Sequence, residues 1–287
     1  MPLPSRSAVL RSLWLFLLTF LSVYVTGGLS MAVGLLSILL AHEMGHYLAA
    51  RHYRVDASLP YFIPAPFLTL AGTLGAFIRL RAPIPHRRAL FDIGVAGPLA
   101  GFLVCVPVLL LGVQQSSWLP AAAQAGRNYL TLGEPLLFQW AVLWLKGPEP
   151  AGSFLDLGPL AFAAWFGLLV TALNLIPVAQ LDGGHLTYAM APRWARAVSQ
   201  VGLVVCILLV YRRPSWLVWT VLLLVLGRRR HPPTLRDGAP LGWPRVLLGW
   251  LAFAIFAGSF TPDPIITSWG DFAGALRELS RYLRLPW

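Results

Sequence analysis

From Gly28 to Leu40 the chain carries no charged residue, and apolar runs of this kind recur from one end of the 287 residues to the other. No other feature narrows the possible folds so far. A helix crosses a bilayer with about 20 apolar residues, each rising ~1.5 Å. Runs near this length fall at 8–26, 28–50, 91–113, 158–180, 195–211, 214–228 and 245–261. The fifth and sixth are short, so six or seven spans are expected. Only 11% of the residues are charged, whereas a soluble domain has about a quarter. The expected fold class is an all-α polytopic membrane protein in one domain, residues 1–287, with no soluble module.

The net charge is +11, from 21 arginines and one lysine against 11 acidic residues. In a soluble protein that balance would suit nucleic acid. Here the arginines stand at the ends of apolar runs, as in positive-inside anchoring, so the expected surroundings are lipid bilayer and not nucleic acid. With the N-terminus inside, 15 basic residues lie on inner segments, among them Arg51, Arg54, Arg79, Arg81 and Arg228–Arg230. Seven lie outside: Arg127, Lys146, Arg212, Arg213, Arg277, Arg281 and Arg284. Leu13–Val25 follows Arg6 and Arg11 like the core of a signal peptide, but no small-x-small cleavage site comes after it. It is read as an uncleaved first span, joined to the second by Gly27-Gly28. Cys105 and Cys206 sit mid-run and read as packing residues.

The parts of the domain differ in pattern. Residues 28–211 form its core and 212–287 the C-terminal helices and tail. Residues 59–86 are apolar but broken by five prolines, and Leu74, Ala76, Ile78 and Leu80 alternate with Thr73, Gly75, Phe77 and Arg79. Period two flanked by glycine and proline predicts a β-hairpin, which must be buried in protein or line a wet cavity. Residues 114–157 form an outside loop. Within it Trp140 and Trp144 have helical spacing and fit an interfacial or a packed helix.

Charge inside the second run requires an explanation. His42 and His46 are four apart, about 40° from each other around a helix, so both imidazoles can hold one ion. Glu43 is turned to reach a water on that ion. His-Glu-x-x-His is two ligands and a general base. An unpaired glutamate at that depth costs several kcal/mol, which weighs against a chance match. Imidazole and carboxylate in an open tetrahedral site favour zinc, one ion per chain, and a catalytic zinc needs a third protein ligand. Asp92, at a basic interface, reads as a helix-start or interface carboxylate. In "NLIPVAQLDGGH", Asn174 to His185, both Asp182 and His185 are candidates. Asp182 follows a helix-ending proline and precedes Gly183-Gly184, where backbone can approach closely.

Ala41–His46 together with Asn-x-x-Pro-x-x-x-Leu-Asp-Gly-Gly at Asn174–Gly184 resembles the site-2 protease family, peptidase family M50. "GTLGAF" (Gly72–Phe77), "DIGVAGPLAG" (Asp92–Gly101) and "GEPLLFQW" look like its plastid and cyanobacterial-type branch. The resemblance covers roughly residues 30 to 260. It implies that His42, His46 and Asp182 bind zinc, that Glu43 is the catalytic carboxylate and that Asn174 positions substrate or stabilises the oxyanion. No inserted PDZ or CBS module is visible, so selection by such modules is not expected.

The expected activity is hydrolysis of peptide bonds in the transmembrane segments of single-span proteins. His42 lies roughly 13 Å along its helix from Arg51, which places the chemistry toward the cytosolic side of a bacterial-type cell membrane. An unwound substrate needs partners for its peptide groups. The hairpin edge can supply them, with Gly72 and Gly75 allowing close approach. A metal transporter would need further ligands in the other spans, where His, Asp and Glu are nearly absent. A membrane-embedded zincin cutting soluble peptides would take a glutamate as third ligand, and no later span holds one.

Overall fold

The computed structural model describes residues 4–124, 131–178, 180–227, 234–236, 238, 240–266, 268–272, 274 and 277. Arg127, Arg228–Arg230, Glu278, Arg281 and Arg284 lie outside the described residues. The first two apolar runs form one helical element, α1 (Arg6–His52), broken at Gly28, whose φ of 80° suits glycine. The chain reverses there, as packing against a small sheet requires. In this sheet β1 (Tyr61–Pro64) pairs antiparallel with β2 (Thr73–Phe77), Tyr61 opposite Phe77. Ser12 donates to the Pro60 carbonyl, Phe16 packs edge-on to Phe62 and Ser22 donates to the Gly72 carbonyl. The first arm of α1 thus runs along the sheet from one end to the other. Glu43, in the second arm, is back at the starting end, close to the backbone of Ile78. In a straight helix Ser12 and Glu43 would be ~46 Å apart. Two antiparallel arms let both reach the same end of the sheet.

The period-two reading of residues 73–77 holds, with an apolar outer face. Leu74 is exposed between buried Thr73 and Gly75, and Thr73 donates to the Ile63 carbonyl at 2.8 Å; Phe77, on the Thr73 side by alternation, is exposed at the strand end. Outward leucine with inward, hydrogen-bonded threonine is the polarity that a lipid surface selects.

Helix α2 (Arg87–Gln115) packs along the second arm of α1, with Ala96 against Gly45 and Val108 against Gly34, and contains Pro98 and Pro107. The outside loop holds α3 (Leu136–Lys146), with Trp140 and Trp144 exposed. Its base is closed by a second sheet that no alternation in the sequence announces, β3 (Ser117–Pro120) paired with β4 (Ser153–Asp156). Helix α4 (Pro159–Leu175) stops before its expected end at 180, because Pro177 forces Ile176 into an extended conformation, ψ 128°. A short helix, α5 (Asp182–Met190), follows. Then come α6 (Ala195–Arg212), α7 (Trp216–Gly227) and α8 (Trp243–Ser259).

The core centres on α4. Trp165 and Leu168 are buried against Ile38 of α1 and Cys105 and Leu109 of α2. Between lipid-facing helices burial of leucine contributes little, and close approach of small residues holds the helices together. Gly112 of α2 illustrates this, since a Cβ there would lie 2.5 Å from the Ala161 backbone nitrogen. Among the described residues, α1, α2 and α6 are long and apolar enough to cross a membrane; α3, α4 and α8 are shorter apolar helices. Leu21, Leu103, Val201 and Leu208 point outward. The chain is a mostly helical membrane protein.

Candidate metal centre

His42, Glu43 and His46 lie about two to three turns before the end of the second arm of α1 and are all buried. Helix α2 crosses this arm at a row of glycines. A Cβ at Gly45 would lie 2.4 Å from the Ala96 carbonyl oxygen, one at Gly97 would lie 2.1 Å from His46 Nε2, and one at Gly101 would lie 3.0 Å from His42 Cβ. The imidazoles therefore occupy the space that side chains on α2 would take. Spacings of three and four put Gly94, Gly97 and Gly101 on one helix face. That spacing is the sequence signal for this packing, which the motif residues alone do not reveal.

Asp182 arrives from the far side of the fold. Pro177 ends α4, two tight turns follow (Val178 N–H to Ile176, Leu181 N–H to Val178), and α5 begins at Asp182. A Cβ at Gly183 would lie 2.0 Å from the Leu175 carbonyl oxygen. Only glycine lets α5 start this close to the end of α4. The Asp182 carboxylate then stands 3.4 Å from His42 Nε2 and 3.2 Å from His46 Nε2, and the two Nε2 atoms are 3.1 Å apart. Among the described residues these three form the group of His, Cys, Asp and Glu side chains close enough to share an ion. His185, one turn along α5, has its Cβ against Gly94 of α2.

The triangle fits zinc. A tetrahedral site with ligand distances of about 2.0–2.1 Å has edges of about 3.3–3.4 Å, close to those observed. The tautomer fits as well. His46 Nδ1 lies 2.7 Å from the Ile93 carbonyl; an N–H donated there leaves the Nε2 lone pair facing the other two groups. Glu43 is not part of the triangle. Its carboxylate lies near all three groups and close to the backbone of Ile78, directly after β2. Asn174, in the last turn of α4, brings Nδ2 to 3.2 Å from His42 Nε2. Gly72 and Gly75 are on the hairpin, both with positive φ. Gly72 faces Thr26 and Ser22, whereas Gly75 has open space beside it.

Asp92 is not merely a helix-start residue. It accepts two hydrogen bonds from Arg245 of α8 and one from Tyr53. No local sequence signal pairs residues 153 positions apart.

The pattern of peptidase family M50 matches residues 30–209, which hold His42, Glu43, His46, Asn174 and Asp182. The chain is 34% identical over 237 residues to "Probable zinc metalloprotease EGY1, chloroplastic" of Arabidopsis thaliana, covering 79% of this chain and 41% of that protein. It is 35% identical over 237 residues to the protein of the same name from Oryza sativa subsp. japonica, covering 78% and 39%. With "Probable zinc metalloprotease EGY3, chloroplastic" of Oryza sativa subsp. indica the identity is 28% over 270 residues, covering 88% and 45%. The chain spans about two-fifths of the length of the first two relatives. No solved structure matches it. The chain belongs to peptidase family M50, the site-2 protease family, on its plastid-type branch. The relatives are named as chloroplast proteins, so the bacterial-type cell membrane expected from the sequence finds no support among them.

Proposed function

We propose that this chain is an intramembrane zinc metalloprotease that hydrolyses peptide bonds in the transmembrane segments of single-span membrane proteins. The observation that carries the reading is the triangle of buried His42 and His46 with partly buried Asp182, and buried Glu43 beside it. Zinc held by the triangle, one ion per chain, would supply Lewis acidity and a water whose pKa falls to about 7. Glu43 takes the proton of the attacking water and returns it to the leaving amine. Asn174 stands at the rim, where its amide can donate to the substrate carbonyl oxygen as negative charge develops.

The substrate enters as an added strand. A transmembrane helix hides its peptide groups in its own hydrogen bonds and must unwind to be cut. In the two-stranded sheet β2 has β1 on one side only, and its end leads to Ile78 and hence to Glu43. A segment paired along β2 would run toward the general base. Gly75 admits a close backbone, while Gly72 seats the hairpin on α1.

Six or seven spans fit the helices: the two arms of α1, then α2, α4, α6 and α8, with α7 short. The active site faces the side that holds the N-terminus, Arg51, Arg54, Arg79 and Arg81, in keeping with the basic-residue bias. A transporter reading draws no support from the fold, since among the described residues no second ligand group marks a path.

The test uses the purified full chain in detergent or liposomes with a single-span reporter carrying Gly, Pro or Asn near the cut. Glu43→Gln should retain one zinc per chain and lose about 10²–10⁴-fold in cleavage rate. His42→Ala should lose both. Cleavage at the normal rate by Glu43→Gln would overturn the reading.

A further inference from the structure

Three helix ends meet at one point on the basic face of the molecule. Tyr53 caps the C-terminus of α1, and Asp92 is in the second turn of α2. Arg245 is in the first turn of α8. Arg245 Nε donates to Asp92 Oδ1 at 2.8 Å and an Arg245 Nη to Oδ2 at 2.8 Å, a two-point fork. The Tyr53 hydroxyl donates to the same carboxylate. Fork and carboxylate are planar, so the pair fixes direction as well as distance. The side chains are only a third and a quarter exposed, respectively.

The residue after Asp92 is Ile93, whose carbonyl receives His46 Nδ1. Four residues on, Gly97 underlies the His46 ring. The orientation of one triangle member is thus set by the position of α2 along α1, and the Tyr53–Asp92 contact joins those helices two turns from His46. A slip of α2 by one residue would move Ile93 by ~1.5 Å, against a tolerance of about 0.2 Å in metal–ligand distances. Helix α8 also backs the other half of the site. A Cβ at Gly249 would lie 2.3 Å from Met190 Sδ, at the end of α5, and 3.2 Å from Phe91 of α2. Ala252 and Ile255 share a buried cluster with Phe91, Leu175 and Leu186. One helix therefore braces both α2, which orients His46, and α5, which presents Asp182. It begins at Trp243, beyond the stretch that the family pattern matches.

We propose that Arg245, with Asp92 and Tyr53, is a positioning device for the metal centre: it locks α8 onto α2 and α1 so that His46 and Asp182 are held in ligand geometry. This rests on the triangle being a zinc site, as the proposed function has it. Arg245 touches neither the triangle nor Glu43 and acts only through Ile93 and the helix packing.

The experiment measures zinc affinity of the purified full chain by competition with a chromogenic chelator, and the visible spectrum after Co²⁺ loading, which reports ligand geometry. The variants are Arg245→Gln and Arg245→Lys, which lose the fork, and Tyr53→Phe. The control is Asp263→Asn. It breaks the Arg213–Asp263 pair, 2.8 Å and of similar burial, at the opposite end of α8. Arg245→Gln should bind zinc about 10–100-fold more weakly, with an altered Co²⁺ spectrum. Arg245→Lys and Tyr53→Phe should fall between it and wild type. Asp263→Asn should lower the melting temperature and leave zinc affinity unchanged. Wild-type zinc affinity in folded Arg245→Gln overturns the proposal, as does an equal loss in Asp263→Asn. If Arg245→Gln does not fold, Arg245→Lys is read by the same criterion. Failure of the functional reading looks different: the wild-type chain itself then binds no zinc.

Discussion

The imidazole of His46 rests on the α-carbon of Gly97, so closely that a Cβ there would lie 2.1 Å from Nε2. The ring cannot swing aside, because its Nδ1 is tied to Ile93. Gly97→Ala must therefore push α2 away or turn the ring. We expect about a ten-fold or greater loss of zinc affinity in a protein that still inserts and folds. Gly101→Ala, which meets His42 Cβ at 3.0 Å, should do less. Metal content of the two purified variants after dialysis against a weak chelator checks the order.

Asp182 and His185 are the two residues of α5 that could complete the site, and only Asp182 faces the histidine pair. Asp182→Ala should abolish stoichiometric zinc, whereas His185→Ala should retain zinc and most activity. Elemental analysis beside a cleavage assay decides it. A loss of zinc in His185→Ala without a loss in Asp182→Ala reverses the assignment.

The free edge of β2 is expected to hold the unwound substrate. A proline cannot donate to a neighbouring strand, so at a position whose N–H points away from β1 it removes one substrate contact and leaves the hairpin intact. Single prolines at Leu74, Ala76 and Phe77 should include at least one folded, zinc-loaded variant with crippled cleavage. If every such variant cuts the reporter at the wild-type rate, the edge does not bind substrate.

Glu134 lies in the outside loop, away from the spans. Partial desolvation of this surface-exposed carboxyl, with Glu149 nearby, raises its pKa above the ordinary 4.5. Its charged form is thus disfavoured in the folded state. The penalty is absent below the unfolded pKa, where the group is protonated in both states. It grows as pH rises toward the folded pKa and is complete above it. Glu134→Gln should raise the melting temperature at neutral pH and not at pH 3. Thermal melts in detergent at several pH values test the crossover.

Much of this protein follows from local pattern. A helix forms its hydrogen bonds within itself, so apolar length alone marks α1, α2 and α6, and Pro177 marks the break after α4. His42, Glu43 and His46 sit within two helical turns, so their spacing already implies a shared face. The alternation from Thr73 to Phe77 likewise announces a strand, because side-chain direction in a strand has period two.

Other features required the tertiary structure, because they join residues that the chain keeps far apart. Asp182 is 140 positions from His42, and nothing local separates it from His185; the close start of α5 on Leu175, made possible by Gly183, turns its carboxylate toward the histidines. Asp92 reads as a helix-start or interface residue until α8 brings Arg245 to it. The glycines of α2 gain their meaning only when His42 and His46 fill the space they leave. The strands β3 and β4 carry no clear alternation and exist because they find each other across the outside loop. Periodicity is a property of a segment, but ligand geometry is a property of packed helices, and their register is set by contacts no single segment contains.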